Sequence, residues 1–160
     1  MKKHVTVILV ALFALDTAVW AGLGSNKTMY VGGTINSIKE GTEGMSSAKD
    51  EKVFVFEYPN GKHQTAKLAI PYDRVNDLEY GQKAGRRLGV AIAVTPLALF
   101  SKKRKHYLTL GYTDENDKQQ AAVFALGKDI VRTTLATLEA RTGRKIDYQD
   151  DEARKSGRGN

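Results

Sequence analysis

Lys52-Val53-Phe54-Val55-Phe56-Glu57-Tyr58-Pro59-Asn60-Gly61, running on to Gln64-Thr65-Ala66-Lys67-Leu68-Ala69-Ile70, is the stretch on which the fold turns. Residues 52–58 gather β-branched and aromatic side chains into the usual length of a strand. Pro59 then presets its own φ, while Asn60 and Gly61 tolerate positive φ, so the chain reverses there. The spacing predicts a return strand over 64–70 and hence a hairpin. Pro71 has no amide donor and ends that strand or keeps it at an edge. Tyr72-Asp73-Arg74 can form a turn, after which Val75 to Tyr80 resumes as a short strand.

Toward the N-terminus, Met29 to Ile38 reads as a first strand bent at Gly32-Gly33. Lys39 to Lys52 is charged, contains glycine and shows no periodicity, the marks of a mobile loop. Toward the C-terminus, Leu108, Leu110 and Tyr112 alternate with Tyr107, Thr109 and Gly111, and the acidic turn Asp114 to Lys118 leads into Gln119 to Leu126, a further hairpin. Val131, Leu135 and Leu138 recur at helical spacing, with Asp129 near the start, Arg141 near the end and Gly143 suited to the C′ position. An amphipathic helix of about four turns follows. Gln149 to Asn160 is charged and glycine-ended, and is expected to be a disordered tail. Strands in hairpin order followed by one helix need that helix to cover an open edge or end of a curved sheet, because neither layer buries its apolar side alone.

The first residues read differently. Met1 to His4 supply positive charge, Val5 to Leu15 an apolar run, and Val19-Trp20-Ala21 small residues where signal peptidase needs them, so residues 1–21 are expected to be a signal peptide cleaved after Ala21. Asp16 interrupts the apolar run well short of the about 20 residues of a spanning helix. The protein is therefore expected to be exported, periplasmic or secreted. The chain has no cysteine, which excludes a disulfide framework, a thiol nucleophile and a thiolate metal site. About 140 residues remain after the leader, enough for one core and too few for two ordinary domains. The expected organisation is a domain over 29–148 followed by the charged tail 149–160. Loss of Lys2, Lys3 and Asp16 with the leader takes the formal charge from +7 to +6. That excess favours acidic partners, and for an exported chain anionic lipid or an envelope polymer ranks above nucleic acid.

The segments Lys67-Leu68-Ala69-Ile70-Pro71-Tyr72-Asp73-Arg74-Val75 through Tyr80, Tyr107 to Tyr112, and the Phe124 to Leu138 strand-to-helix junction resemble small bacterial pleckstrin-homology-like (PH-like, GRAM-related) domains. The resemblance spans roughly Tyr30 to Tyr148. It implies a mostly β fold with one C-terminal helix: a bent, partly open barrel of two near-orthogonal antiparallel sheets, capped by the helix. That superfold serves lipid headgroups, peptides and protein partners alike, so it implies no single function. Lipid-reading members carry a basic loop between the first two strands. Here that loop mixes Lys39, Lys49 and Lys52 with Glu40, Glu43, Asp50 and Glu51, and its charge nearly cancels.

Residue patterns for chemistry are sparse. Beyond the leader only His63 and His106 remain, neither with a partner at ligand spacing, and they read as exposed polar residues. Ser46-Ser47-Ala48-Lys49 matches a bare Ser-x-x-Lys pattern without the companion motifs of acyl-transfer enzymes. Asp114-Glu115-Asn116-Asp117 reads as a solvated turn before it reads as a cation site. The expectation is a non-catalytic protein without cofactor or metal. The informative stretch is Gly85 to His106, where apolar Leu88 to Phe100 lies between Arg86 and Arg87 on one side and Lys102, Lys103, Arg104 and Lys105 on the other. Thirteen residues containing Pro96 are too few for a spanning helix. Two readings stand. In one, Val90, Ile92, Val94, Leu97, Leu99 and Phe100 are core. In the other, Leu97, Leu99 and Phe100 dip into a bilayer or a partner's groove while Arg86, Arg87, Lys102, Lys103, Arg104 and Lys105 rest on acidic groups. The second gives a membrane or envelope docking module. Its runner-up is a structural or assembly protein using the same segment, or an open sheet edge, to bind a protein partner or another copy.

Overall fold

The computed structural model describes residues 26–61, 63–81, 93–94 and 106–159. The expected signal segment 1–21 lies outside them. Among the described residues nine strands and two helices follow in chain order: β1 Lys27–Gly33, β2 Thr42–Ser47, β3 Val53–Pro59, β4 Thr65–Pro71, β5 Val75–Gly81, β6 Ala93–Val94, β7 His106–Thr113, β8 Gln119–Leu126, α1 Val131–Thr142, β9 Asp147–Tyr148 and α2 Asp151–Arg158. A 3-10 turn, Tyr72–Arg74, separates β4 from β5. These strands share one hydrogen-bonded path, β4-β3-β2-β1-β8-β7-β5-β9, with β6 beside β1 off that path. Among the described residues the path is open, its edges being β4 and β9. Except for β9, which runs parallel to β5, the pairings are antiparallel.

Both expected hairpins form. β3 pairs β4 from Val53↔Pro71 to Pro59↔Thr65, and β7 pairs β8 from His106↔Leu126 to Thr113↔Gln119. Alternation sends Phe54, Phe56, Leu108, Leu110 and Phe124 to one face, where they are fully buried. Phe124 is the hub: Phe56, Phe54 and Tyr30 stand 5.2, 5.5 and 5.9 Å from it, centroid to centroid, all tilted or edge-on. Such geometry matches positive ring edges to negative faces, and each ring's burial contributes about 1.5–3 kcal/mol. α1 lies over the same core and buries Val131, Leu135 and Leu138, the three residues its spacing singled out. Gly143 closes it at φ 67°, donating its N–H to the Glu139 carbonyl at 3.1 Å.

Two expectations are corrected. Within 39–52, expected as a mobile loop, Thr42–Ser47 forms β2, paired on one side with β1 and on the other with β3. Thr-Glu-Gly-Met-Ser-Ser carries no large apolar alternation because the strand is held by two backbone ladders. Gly44 belongs there for space: a Cβ at that position would press on the Phe56 ring and the Glu57 carbonyl.

The second correction concerns 149–160, expected as a disordered tail after a single closing helix. A second helix, α2, forms there instead. Asp150 caps it, its Oδ1 accepting the Ala153 N–H at 2.7 Å. Ala153 and Gly157 are buried, and the absence of bulk on that side lets the helix approach Tyr80 and Leu135. β9 ties the preceding turn to the sheet by pairing Glu79↔Asp147 and Tyr80↔Tyr148. The guanidinium groups of Arg154 and Arg158 lie 5.9 and 5.3 Å from the Tyr148 ring centroid.

Candidate functional site

The residues singled out from sequence for docking, Arg86, Arg87, Leu97, Leu99, Phe100, Lys102, Lys103, Arg104 and Lys105, lie outside the described residues. What is described is their root. Gly81, at the end of β5, pairs with Tyr107 near the start of β7. Neighbouring antiparallel strands need as few as two connecting residues, so the length of 82–105 is not demanded by the sheet it interrupts. Ala93 and Val94 return to the sheet, opposite Gly33 and Gly32 of β1. Close by, Val31, Tyr107 and Val123 form a small second cluster, buried away from the main core and flanked by Met29 and Ala125.

At the root lies a groove of about 800 Å³ bounded by β1, β2, the β3–β4 turn and the end of β8. Met29, Met45 and Ala125 give it an apolar floor, and Lys27 and Lys128 stand exposed on its rim. Glu43 and Glu57 lie across from them along the sheet, Glu57 held by Lys67 in an ion pair of 2.7 Å. His106 also lines the groove, so the run Lys102 to Lys105 ends one residue short of it.

His106 is not the exposed polar residue its sequence context suggests. It shares the register of Leu108 and Leu110, and its ring stacks on Tyr80 at 6.1 Å and 7°. Its Nδ1 meets the Tyr80 hydroxyl, which in turn lies 3.1 Å from Ser156 Oγ, and Ser156 donates to the Ala153 carbonyl at 2.9 Å. One set of directions satisfies every link: His106 Nδ1–H to Tyr80, Tyr80 to Ser156, Ser156 to the carbonyl. In that tautomer Nε2 keeps its lone pair. Burial pushes the His106 imidazole below its usual value, and burial raises the Tyr80 phenol, with the Ser156 bond opposing. Both rings are neutral at pH 7. The signal available in the sequence was the two-residue period that places His106 with the core leucines.

The remaining patterns have structural occupations. Ser46 Oγ shares a 2.6 Å hydrogen bond with Thr28, and Ser47 Oγ accepts the Lys49 N–H at 3.2 Å. Asp114 Oδ1 accepts from the backbone of Asn116 and Lys118 and Oδ2 from Gln120. Those bonds, that of Lys118 foremost, hold its carboxyl below the usual range. His63 is exposed in the β3–β4 turn. Among the described residues no three of His, Asp and Glu are grouped as a metal site would require. No family model, curated protein or solved structure matches the chain.

Proposed function

We propose that the chain is a non-catalytic binding module on a PH-like scaffold, docking reversibly on an anionic membrane or envelope surface through residues 86–105. Support for the scaffold comes from the strand path, a meander folded back so that β1 joins β8, with α1 laid over the common core. The observation that carries the function is the paired root. A long excursion issues from two strands that already hold each other, and long connections that the fold does not require are where binding segments concentrate. It rejoins the sheet at a groove whose rim bears Lys27 and Lys128, and in the sequence four consecutive cations, Lys102 to Lys105, directly precede His106 of that groove. Export, on this reading, brings those cations to acidic headgroups or envelope polymer.

Sedimentation with vesicles tests the reading. The protein is expected to pellet with phosphatidylglycerol vesicles at low salt, to be released at high salt, and to ignore phosphatidylcholine. Lys103→Glu removes one favourable charge and adds an unfavourable one, which at about 1 kcal/mol each weakens binding about thirtyfold. Phe100→Asp weakens it as well. Equal pelleting of wild type and both variants rejects the proposal.

A second reading, self-assembly or capture of a protein partner, is favoured by one observation: β4 pairs only with β3 among the described residues, leaving its other edge open. Such an edge accepts an added strand. A single monomeric species in sedimentation velocity across a wide concentration range excludes self-assembly.

A further inference from the structure

Between the end of β2 and the first turns of α1 lies a second cavity, a cleft of about 360 Å³. Its wall differs from that of the groove. Ser47, Thr133, Thr134 and Thr137 line it with hydroxyl-bearing side chains. Lys49 and Arg141 bring two cations against the single carboxylate of Asp129. Among the described residues no aromatic ring lines it, so a sugar ring would find no stacking platform.

Two independent features point to an anion. α1 begins at Ile130 with no side-chain cap, and the first bond closing on that cap residue is Thr134 N–H to the Ile130 carbonyl at 2.8 Å. The amides of Val131, Arg132 and Thr133 are therefore left at the positive pole of the helix, and of these three residues Thr133 lines the cleft. Thr134 is the second feature. A helical threonine commonly returns its hydroxyl to the carbonyl one turn back, as Thr142 does to Leu138 at 2.7 Å. Thr134 makes no such bond. It is only 7% exposed, its hydroxyl has no partner among the described residues, and that hydroxyl is not sealed from solvent, so it opens on the cleft. Arg141 is already occupied, donating to the carbonyls of Asp50 and Lys49 and lying 5.6 Å from the Tyr72 ring centroid. It fixes the 49–50 turn beside α1 and leaves exposed Lys49 as the counter-charge.

We propose that this cleft binds a phosphate group. The Thr133 amide and the Thr134 hydroxyl donate to its oxygens, and Lys49 supplies charge. The site shares no residue with the groove or with 86–105, so it stands or falls apart from the docking reading. The phosphate has two sources, a free phosphate or the phosphodiester of a lipid headgroup.

Amide spectra of the protein titrated with inorganic phosphate test the site directly. The Thr133 and Thr134 resonances are expected to shift and saturate, whereas sodium chloride at equal ionic strength leaves them in place. Thr134→Val keeps the side chain's shape, removes only an unpartnered hydroxyl and so leaves the melting temperature unchanged. It is expected to weaken phosphate binding about tenfold or more, the worth of one hydrogen bond to a charged group. Should that variant fail to fold, Lys49→Ala at an exposed position takes its place, and a weaker titration is again the expected result. Phosphatidylglycerol vesicles that displace bound phosphate identify the headgroup as the source, and failure to displace identifies the free ion. Chloride shifts equal to those of phosphate, or a phosphate affinity untouched in a folded variant, overturn the proposal.

Discussion

Gly157→Ala sets two calculable effects against each other. In a helix interior the change from glycine to alanine is worth up to about 1 kcal/mol in favour of folding. At this position the new methyl would stand 2.7 Å from Tyr148 Cε1, 2.9 Å from Leu135 Cδ1 and 3.2 Å from Tyr80 Cε1. Carbon pairs prefer about 3.5–4.0 Å, so three neighbours must give way. Tyr80 is held by His106 and Ser156, Tyr148 by two arginines, and Leu135 is fully buried. Overpacking of this kind costs about 1–3 kcal/mol. Set against the helical gain, it leaves a net loss of about 1 kcal/mol, and for a domain of this size the melting temperature falls by about 3 °C. Thermal denaturation followed by circular dichroism measures the shift, and hydrogen exchange at 151–158 shows where protection is lost. Were α2 a solvated tail, only propensity would act. A melting temperature equal to or above that of wild type therefore refutes the packing described here.

Acidification gives a second expectation. Burial holds His106 below its ordinary 6.5, so as pH falls past that value the unfolded chain takes up protons that the folded chain refuses. Its contribution is complete above about 6.5 and is lost as pH falls toward the folded value. Asp50 and Asp114, also depressed, act only below their ordinary 3.8. Melting temperatures at pH 7.5 and 5.5 are expected to differ more for wild type than for His106→Gln, and parallel behaviour would contradict the buried imidazole. Phe124→Ala removes the ring against which three others pack and is expected to cost about 3–5 kcal/mol, with loss of near-ultraviolet dichroism. A loss under about 1 kcal/mol would displace Phe124 from the centre of the core.

The sequence was most informative where side chains report their own surroundings. Phe54 and Phe56, the leucines of β7 and the Val131-Leu135-Leu138 stripe announce burial by period, and the structure buries each. β2 was opaque because its stability comes from ladders on both sides rather than from its own side chains. α2 was opaque for a related reason. Its contact face is Ala153 and Gly157, residues that bury well by being small and leave no apolar signature among the charged neighbours of Asp151–Arg158. His106 lay between these cases, named by the sequence but misjudged, since a basic neighbourhood concealed a core register. The Thr134 cleft had no signal of its own. Threonines in a helix look alike until the missing bond to the preceding turn is seen.

The link between Tyr80 and Ser156 spans 76 positions of sequence. A chain that emerges from a ribosome or translocon N-terminus first presents β5 long before α2 exists to shield it. During that interval Tyr80 and the hydrophobic strip around it are accessible to anything nearby, a chaperone or another unfinished copy. Final sealing of that strip therefore waits for the segment around 150–158 to arrive.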